Sequence, residues 1–171
     1  VIFENQKEII EYAIKNCERQ ENFLEFGVAT GRSINIIASF VPNNTKVYGF
    51  DTFEGLPEKW HETDSGTYSG DGWVPDIKGG EFVVGKFEDT LPEFFLKKRP
   101  MASLINFDAD LYSSTKCALD HSHSVIDNKT VLIFDEFINN KNWELDEYKA
   151  LNDFCIENSF DYKVLAVSFF T

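Results

Sequence analysis

The residues in this chain best suited to chemistry are carboxylates at the ends of apolar runs. Asn106-Phe107-Asp108-Ala109-Asp110-Leu111-Tyr112 closes one run, and Phe134-Asp135-Glu136-Phe137 closes the next. If the two runs are neighbouring strands, a spacing of about 4.8 Å brings Asp108, Asp135 and Glu136 to one edge of a sheet. Three acids so placed repel one another unless one takes a proton or oxygen ligands hold a hard divalent cation among them. Mg2+ is the expected ion, because the set lacks the His and Cys that zinc prefers. Asp110 ranks second in this group, since the strand is already ending there.

A second constellation lies earlier. Glu25-Phe26-Gly27-Val28-Ala29-Thr30-Gly31-Arg32-Ser33 runs from an apolar segment directly into a helical pattern. Glycines at such a turn let backbone N–H groups approach a ligand, and the helix N-terminus beyond it attracts a carboxylate or phosphate. Ala29 stands where a dinucleotide site would carry its second glycine, which disfavours a pyrophosphate. The following apolar run ends in Asp51, placed to accept ribose hydroxyl protons. Together the glycine turn and this acid point to an adenosine-containing ligand. His61 is a further candidate base. Tyr112-Ser-Ser-Thr-Lys116 has the Tyr-x-x-x-Lys spacing of short-chain dehydrogenases, but the glycine spacing and the unexplained acids oppose that reading. His121 and His123 are expected to be structural or exposed. Ser113 and Ser114 lack the partners of a hydrolase triad.

These residues need a scaffold, and the pattern supplies one. Buried strands are expected at Phe23 to Phe26, Val47 to Phe50, Leu104 to Phe107 and Val131 to Phe134, with weaker ones at Phe82 to Val84 and Tyr162 to Val167. Amphipathic helices follow from Ile10, Ala13, Ile14, Cys17 and from Ile34, Ile37, Ala38, Val41. A third helix is expected to start at Thr90, a fourth to run from about Ser114 to Ile126 and a fifth from Leu145 to Asn158. This alternation predicts an α/β fold: a doubly wound, mostly parallel sheet with helices on both faces. Residues Leu56 to Gly80 break the pattern, and seven of the ten glycines lie between Gly55 and Gly85. A loop of that length in a compact domain is read as an active-site lid or substrate loop.

The 171 residues suit one domain over residues 1–171. Acids outnumber bases 29 to 16, giving a charge of −13 with no basic stripe, which argues against nucleic acid. No apolar run approaches the ~20 residues of a membrane span and no signal-peptide pattern opens the chain, so a soluble, cytoplasmic protein without a membrane partner is expected. Cys17, Cys117 and Cys155 are read as packing residues.

In order and spacing, the Glu25–Ser33 motif, Gly49-Phe-Asp-Thr-Phe-Glu-Gly-Leu-Pro57, Gly85-Lys-Phe-Glu-Asp-Thr-Leu-Pro92, Asp108-Ala-Asp-Leu-Tyr-Ser-Ser-Thr115 and Phe134-Asp-Glu-Phe137 resemble one family. It is the macrocin O-methyltransferase family of class I S-adenosylmethionine-dependent enzymes, and the likeness covers roughly residues 22–155. The resemblance implies methyl transfer to a hydroxyl of a small, sugar- or polyol-like acceptor, with Mg2+ held by Asp108, Asp135 and Glu136. It implies S-adenosylmethionine contacts from Glu25, Gly27, Ala29, Thr30, Gly31 and Ser33, a ribose site at Asp51 and Thr52, and an adenine site near Lys86, Phe87 and Glu88. Asp108 also borders the cofactor and takes the acceptor's proton, with His61 as the loop alternative, while Trp60, Trp73 and Tyr112 wall the acceptor. Two departures stand out. Glu136 replaces the family's usual Asp, and the sequence stops at Thr171 after the sixth expected strand, whereas the family fold closes with an antiparallel seventh, so either the sequence is a fragment or that edge of the sheet is missing. The rival readings are an NAD(P)-dependent oxidoreductase using Tyr112 and Lys116, and a catalytically silent nucleotide-binding module. A homo-oligomer is compatible with the sequence.

Overall fold

The structure, a computed structural model, describes residues 1–138 and 140–169. Its main sheet has five parallel strands in the order β4-β3-β2-β5-β6: β2 (Phe23–Phe26), β3 (Val47–Asp51), β4 (Gly80–Val84), β5 (Leu104–Phe107) and β6 (Val131–Phe134). The four strong apolar runs of the sequence thus form four of its strands, because continuous apolar segments suit strands buried on both faces. The chain winds outward from β2 to β4, then returns to β5 on the other side of β2. The switch in winding direction therefore falls between β2 and β5, where open α/β sheets bind ligands.

Two helices, α1 (Gln6–Lys15) and α2 (Arg32–Phe40), cover one face. Asn5 caps α1 by accepting the Glu8 N–H at 3.0 Å, and Ile10, Ala13 and Ile14 point inward to meet Phe23, Ile34, Ile37 and Leu104. The other face is covered by α3 (Phe87–Leu96), α4 (Tyr112–Ser122) and α5 (Glu147–Asn158), whose Leu91, Phe94, Leu119 and Phe154 pack on Leu24, Phe26, Phe50 and Phe107. Three helix boundaries differ from the sequence reading. Helix α3 starts before Thr90, whose hydroxyl donates to the Lys86 carbonyl at 3.0 Å inside the helix rather than capping it. Helix α4 starts earlier, and its end tightens into a 3-10 turn at His123–Val125. Helix α5 follows a separate 3-10 turn at Trp143–Leu145.

The expected strand at Tyr162 to Val167 does not join the sheet. Residues 161–165 stay exposed, so no burial fixes them in a ladder. Only Val167–Ser168 (β7) is extended, pairing in parallel with Ile2–Phe3 (β1) as a separate two-stranded ribbon. The expectation for the chain end at Thr171 lies outside the described residues.

Register is marked by one aromatic row. Phe50, Phe26, Phe107 and Phe134 are direct neighbours across β3, β2, β5 and β6. Their rings stack in sequence, with centroids 4.8, 5.4 and 4.8 Å apart. Each such pair adds about 0.5–1.5 kcal/mol beyond its buried area. The next residue on each strand is Asp51, Gly27, Asp108 and Asp135, so the row delivers all four to the same end of the sheet.

Candidate active site

At that end lies a cavity of about 320 Å³, bordered by Gly27 to Ala29, Asp51, Thr52, Lys86 to Glu88, Asp108 to Asp110, Ser114, Asp135 and Glu136. Leu56, Pro57, Trp60 and Tyr68 of the long loop complete its wall. The glycine turn is built by close approach. Gly27 has φ +87°, and a Cβ there would sit 1.8 Å from the Asp108 carbonyl oxygen, so only glycine lets the two strand ends cross. Asp51 holds the turn: its Oδ2 accepts the N–H groups of Val28 at 2.6 Å and Ala29 at 2.8 Å, and its Oδ1 accepts that of Phe53 at 2.7 Å. A carboxylate offers about four acceptor positions, so about one is left for a ligand hydroxyl.

Beneath the turn sits Glu25, fully buried. It accepts the Ser33 hydroxyl and the Asn106 amide, each at 2.9 Å, tying β2 to α2 and to its partner across β5. Burial pushes its carboxyl up to about 8, against the lowering effect of those two bonds. The acids above the sheet share this direction. Burial, then the nearby Asp135 and Glu25, raise Asp108 well above the ordinary carboxylate range. Burial and the neighbouring Glu136 and Asp135 bring Asp110, a left-handed residue with φ +59°, to about 7. Asp135 is raised by burial although Gln6 donates to it at 3.4 Å, and Glu136 is raised by burial and by Asp135.

A family model described as a methyltransferase domain matches residues 24–137. The chain belongs to the methyltransferase-domain family. The class I, S-adenosylmethionine-dependent character implied by the motifs therefore holds. Among solved structures, this methyltransferase is similar to CalS11, a calicheamicin methyltransferase, at 19% identity and TM-score 0.76 over 94% of this chain and 74% of the other. It also resembles the O-methyltransferase NovP, at 16% identity and TM-score 0.66 over 95% and 76% of the two chains. A third likeness is to an O-methyltransferase from Bacillus cereus in complex with SAH, at 16% identity and TM-score 0.58 over 90% and 68%. Comparison with curated protein sequences finds no match.

Of the site residues expected from sequence, the methyltransferase brings Gly27, Ala29, Asp51, Thr52, Lys86, Phe87, Glu88, Asp108, Asp135, Glu136 and Trp60 to one cavity. The others lie elsewhere. Glu25 and Ser33 are the buried layer beneath the turn. Thr30 is exposed, and Gly31 packs under the loop, where a Cβ would come within 2.9 Å of Pro75. Trp73 is 59% exposed and outside the cavity. His61 is also outside it: Nε2 meets Asp146 Oδ2 at 2.7 Å and Nδ1 meets the Asn142 amide at 3.2 Å, so the imidazole latches the loop to the segment before α5. The Tyr112 hydroxyl donates to Asp153 at 2.9 Å, which raises rather than lowers its pKa, and Lys116 is paired with Asp120 and Glu157. The two therefore do not form a dehydrogenase pair. Sequence reasoning missed Tyr68 and Ser114 at the cavity, and also the fully buried Glu147, which nothing in the local pattern separates from an exposed first-turn glutamate.

The donor chemistry of Asp108, Asp135 and Glu136 suits a hard cation: they are oxygen-only and mutually repelling. Among the described residues, however, no three His, Cys, Asp or Glu side chains stand close enough together to form a ready-made metal site. No helix among them is long and apolar enough to cross a membrane.

Proposed function

We propose that this chain transfers a methyl group from S-adenosylmethionine to a hydroxyl of a small, sugar- or polyol-like acceptor. The observation that supports it best is the single row Asp51, Gly27, Asp108, Asp135, which sets a glycine turn and its acid beside an acid wall in one cavity. S-adenosylmethionine, when bound, supplies an electrophilic methyl on a sulfonium. The chain's part is to hold the two partners in line, the main source of rate in such a transfer. Gly27 to Ala29 offer backbone to the amino-acid end, Asp51 the remaining acceptor for a ribose hydroxyl, and Lys86 and Phe87 a wall for adenine. Trp60 walls the acceptor from the long loop. The Asp108–Asp110 pair, anchored at the end of β5, takes the acceptor's proton. A bound Mg2+ would be held by Asp108, Asp135 and Glu136 and would lower the acceptor hydroxyl's pKa.

Calorimetry tests the reading. Micromolar binding of S-adenosylhomocysteine with none of NAD(H) is expected, and the reverse would overturn it in favour of the oxidoreductase. Labelled S-adenosylmethionine should then transfer its methyl to members of a panel of free and nucleotide-linked deoxysugars. CalS11, a TDP-rhamnose 3'-O-methyltransferase, motivates that panel. EDTA should depress turnover and Mg2+ restore it, and indifference to both removes the metal from the mechanism.

A further inference from the structure

Glu147 is an acid in a costly place that the proposed chemistry does not use. It is the first residue of α5, has no exposed surface, and lies beside Asp108, Asp110 and Asp135. Among the described residues its side chain accepts from two backbone amides: Oε1 from the Ala109 N–H at 3.4 Å and Oε2 from the Glu136 N–H at 3.1 Å. Those amides belong to different strand ends. Ala109 stands between Asp108 and Asp110 after β5, and Glu136 follows Asp135 after β6. Beyond the last ladder bond, where the Asp135 N–H donates to the Phe107 carbonyl at 3.0 Å, the two turns share no backbone bond among the described residues. The turn after β5 is also tightly wound, with the Leu111 N–H on the Ala109 carbonyl at 2.6 Å and Asp110 in the left-handed region. A purely stabilising side chain would gain more here from being apolar, because a buried acid among like charges is penalised. What a carboxyl group adds is two oxygens at a fixed spacing, each with a lone pair to accept, which can bridge two N–H donors on separate turns.

We propose that Glu147 is a positioning residue, a clamp between the Ala109 and Glu136 amides that fixes the Asp108–Asp110 turn against the Asp135–Glu136 turn across the acceptor side of the cavity. The clamp leaves the cofactor side alone: Gly27, Val28 and Ala29 are held by Phe50 and Asp51 instead. This inference rests on the methyltransferase reading, and the test separates the two. Wild-type protein that fails to bind S-adenosylhomocysteine sinks the reading itself.

With binding established, Glu147→Gln and Glu147→Ala are compared by amide hydrogen exchange in the presence of S-adenosylhomocysteine, which needs no acceptor. The clamp predicts that protection at the Ala109 and Glu136 amides falls about tenfold or more in Glu147→Ala. Gly27 to Ala29 stay unchanged, and S-adenosylhomocysteine affinity stays within about threefold. Glu147→Gln keeps the volume but offers one acceptor in place of two, so it should deprotect one of the two amides. With any acceptor that turns over, both variants should lower kcat by about tenfold to a hundredfold while leaving KM for S-adenosylmethionine near the wild-type value. Undiminished protection at both amides in Glu147→Ala overturns the clamp. Loss of protection throughout the sheet with loss of cofactor binding in Glu147→Gln overturns it too, because that pattern marks a residue needed only for folding.

Discussion

At the scale of single residues, Gly27 carries the tightest constraint. Its positive φ and the Asp108 carbonyl over its Cα make any side chain both strained and obstructed. Gly27→Ala should cost about 3 kcal/mol or more and weaken S-adenosylhomocysteine binding, measurable by thermal denaturation and calorimetry. Full stability and affinity in that variant would show that the turn can relax away from β5. Gly27 was legible in the sequence as a ligand-facing glycine, yet the reason glycine is required, another strand's backbone, was not, because β5 is far away in the chain. Asp51 shows the same mixture. Its place after β3 was readable, but the three backbone amides it satisfies depend on how the turn folds back over the strand end.

At the scale of elements, the loop between β3 and β4 decides how the cavity is walled. It contains no helix, and its strand-like content is the isolated bridge between Trp60 and Thr63. It closes on itself through Leu56 and Thr67 and through Gly70 and Gly72 on the Phe53 carbonyl. It is then fastened outward by Glu58 on Ser113 and by His61 on Asp146. Removing the imidazole in His61→Ala leaves a nearly buried Asp146 carboxylate without that partner, at a cost of about 1–3 kcal/mol. Proteolytic cleavage within residues 56–80 should accelerate, with a lower melting temperature; an unchanged cleavage rate would mean that the latch does not restrain the loop. The sequence showed that this stretch was a loop with a purpose. It could not show that His61 serves as a fastener, because its partners lie more than eighty positions away. The central strands β2 and β5 were readable because each is an apolar run of four residues buried throughout, and the flanking strands because they pair with that core, whereas 161–165 stay exposed.

At the scale of the molecule, the dominant electrostatic fact is a set of buried and half-buried acids with raised proton affinity. For Glu25, the folded carboxyl titrates near 8 and the free one near 4.5. Below about pH 4.5 both states hold the proton and the stabilisation is fully present. Between the two values only the folded state keeps it, so stability falls as pH rises, by up to ~1.4 kcal/mol per unit for one group, and the loss is complete above the folded value. Asp108, Asp110, Asp135, Glu136 and Glu147 shift in the same direction. Chemical denaturation should therefore give a more stable protein near pH 6 than near pH 8, and Glu25→Gln should flatten part of that slope. A stability that rises from pH 6 to pH 8 would contradict the burial of these carboxyls.

The stacked phenylalanines have a consequence for how this scaffold can change. Each ring touches its neighbour and immediately precedes a residue of the cavity, so trimming one of Phe26, Phe50, Phe107 or Phe134 would misalign several cavity residues together. The loop at 56–80 shares no such common support, and a change there alters one wall alone. Laboratory selection for new acceptors should consequently collect its substitutions in the loop and leave the four rings untouched.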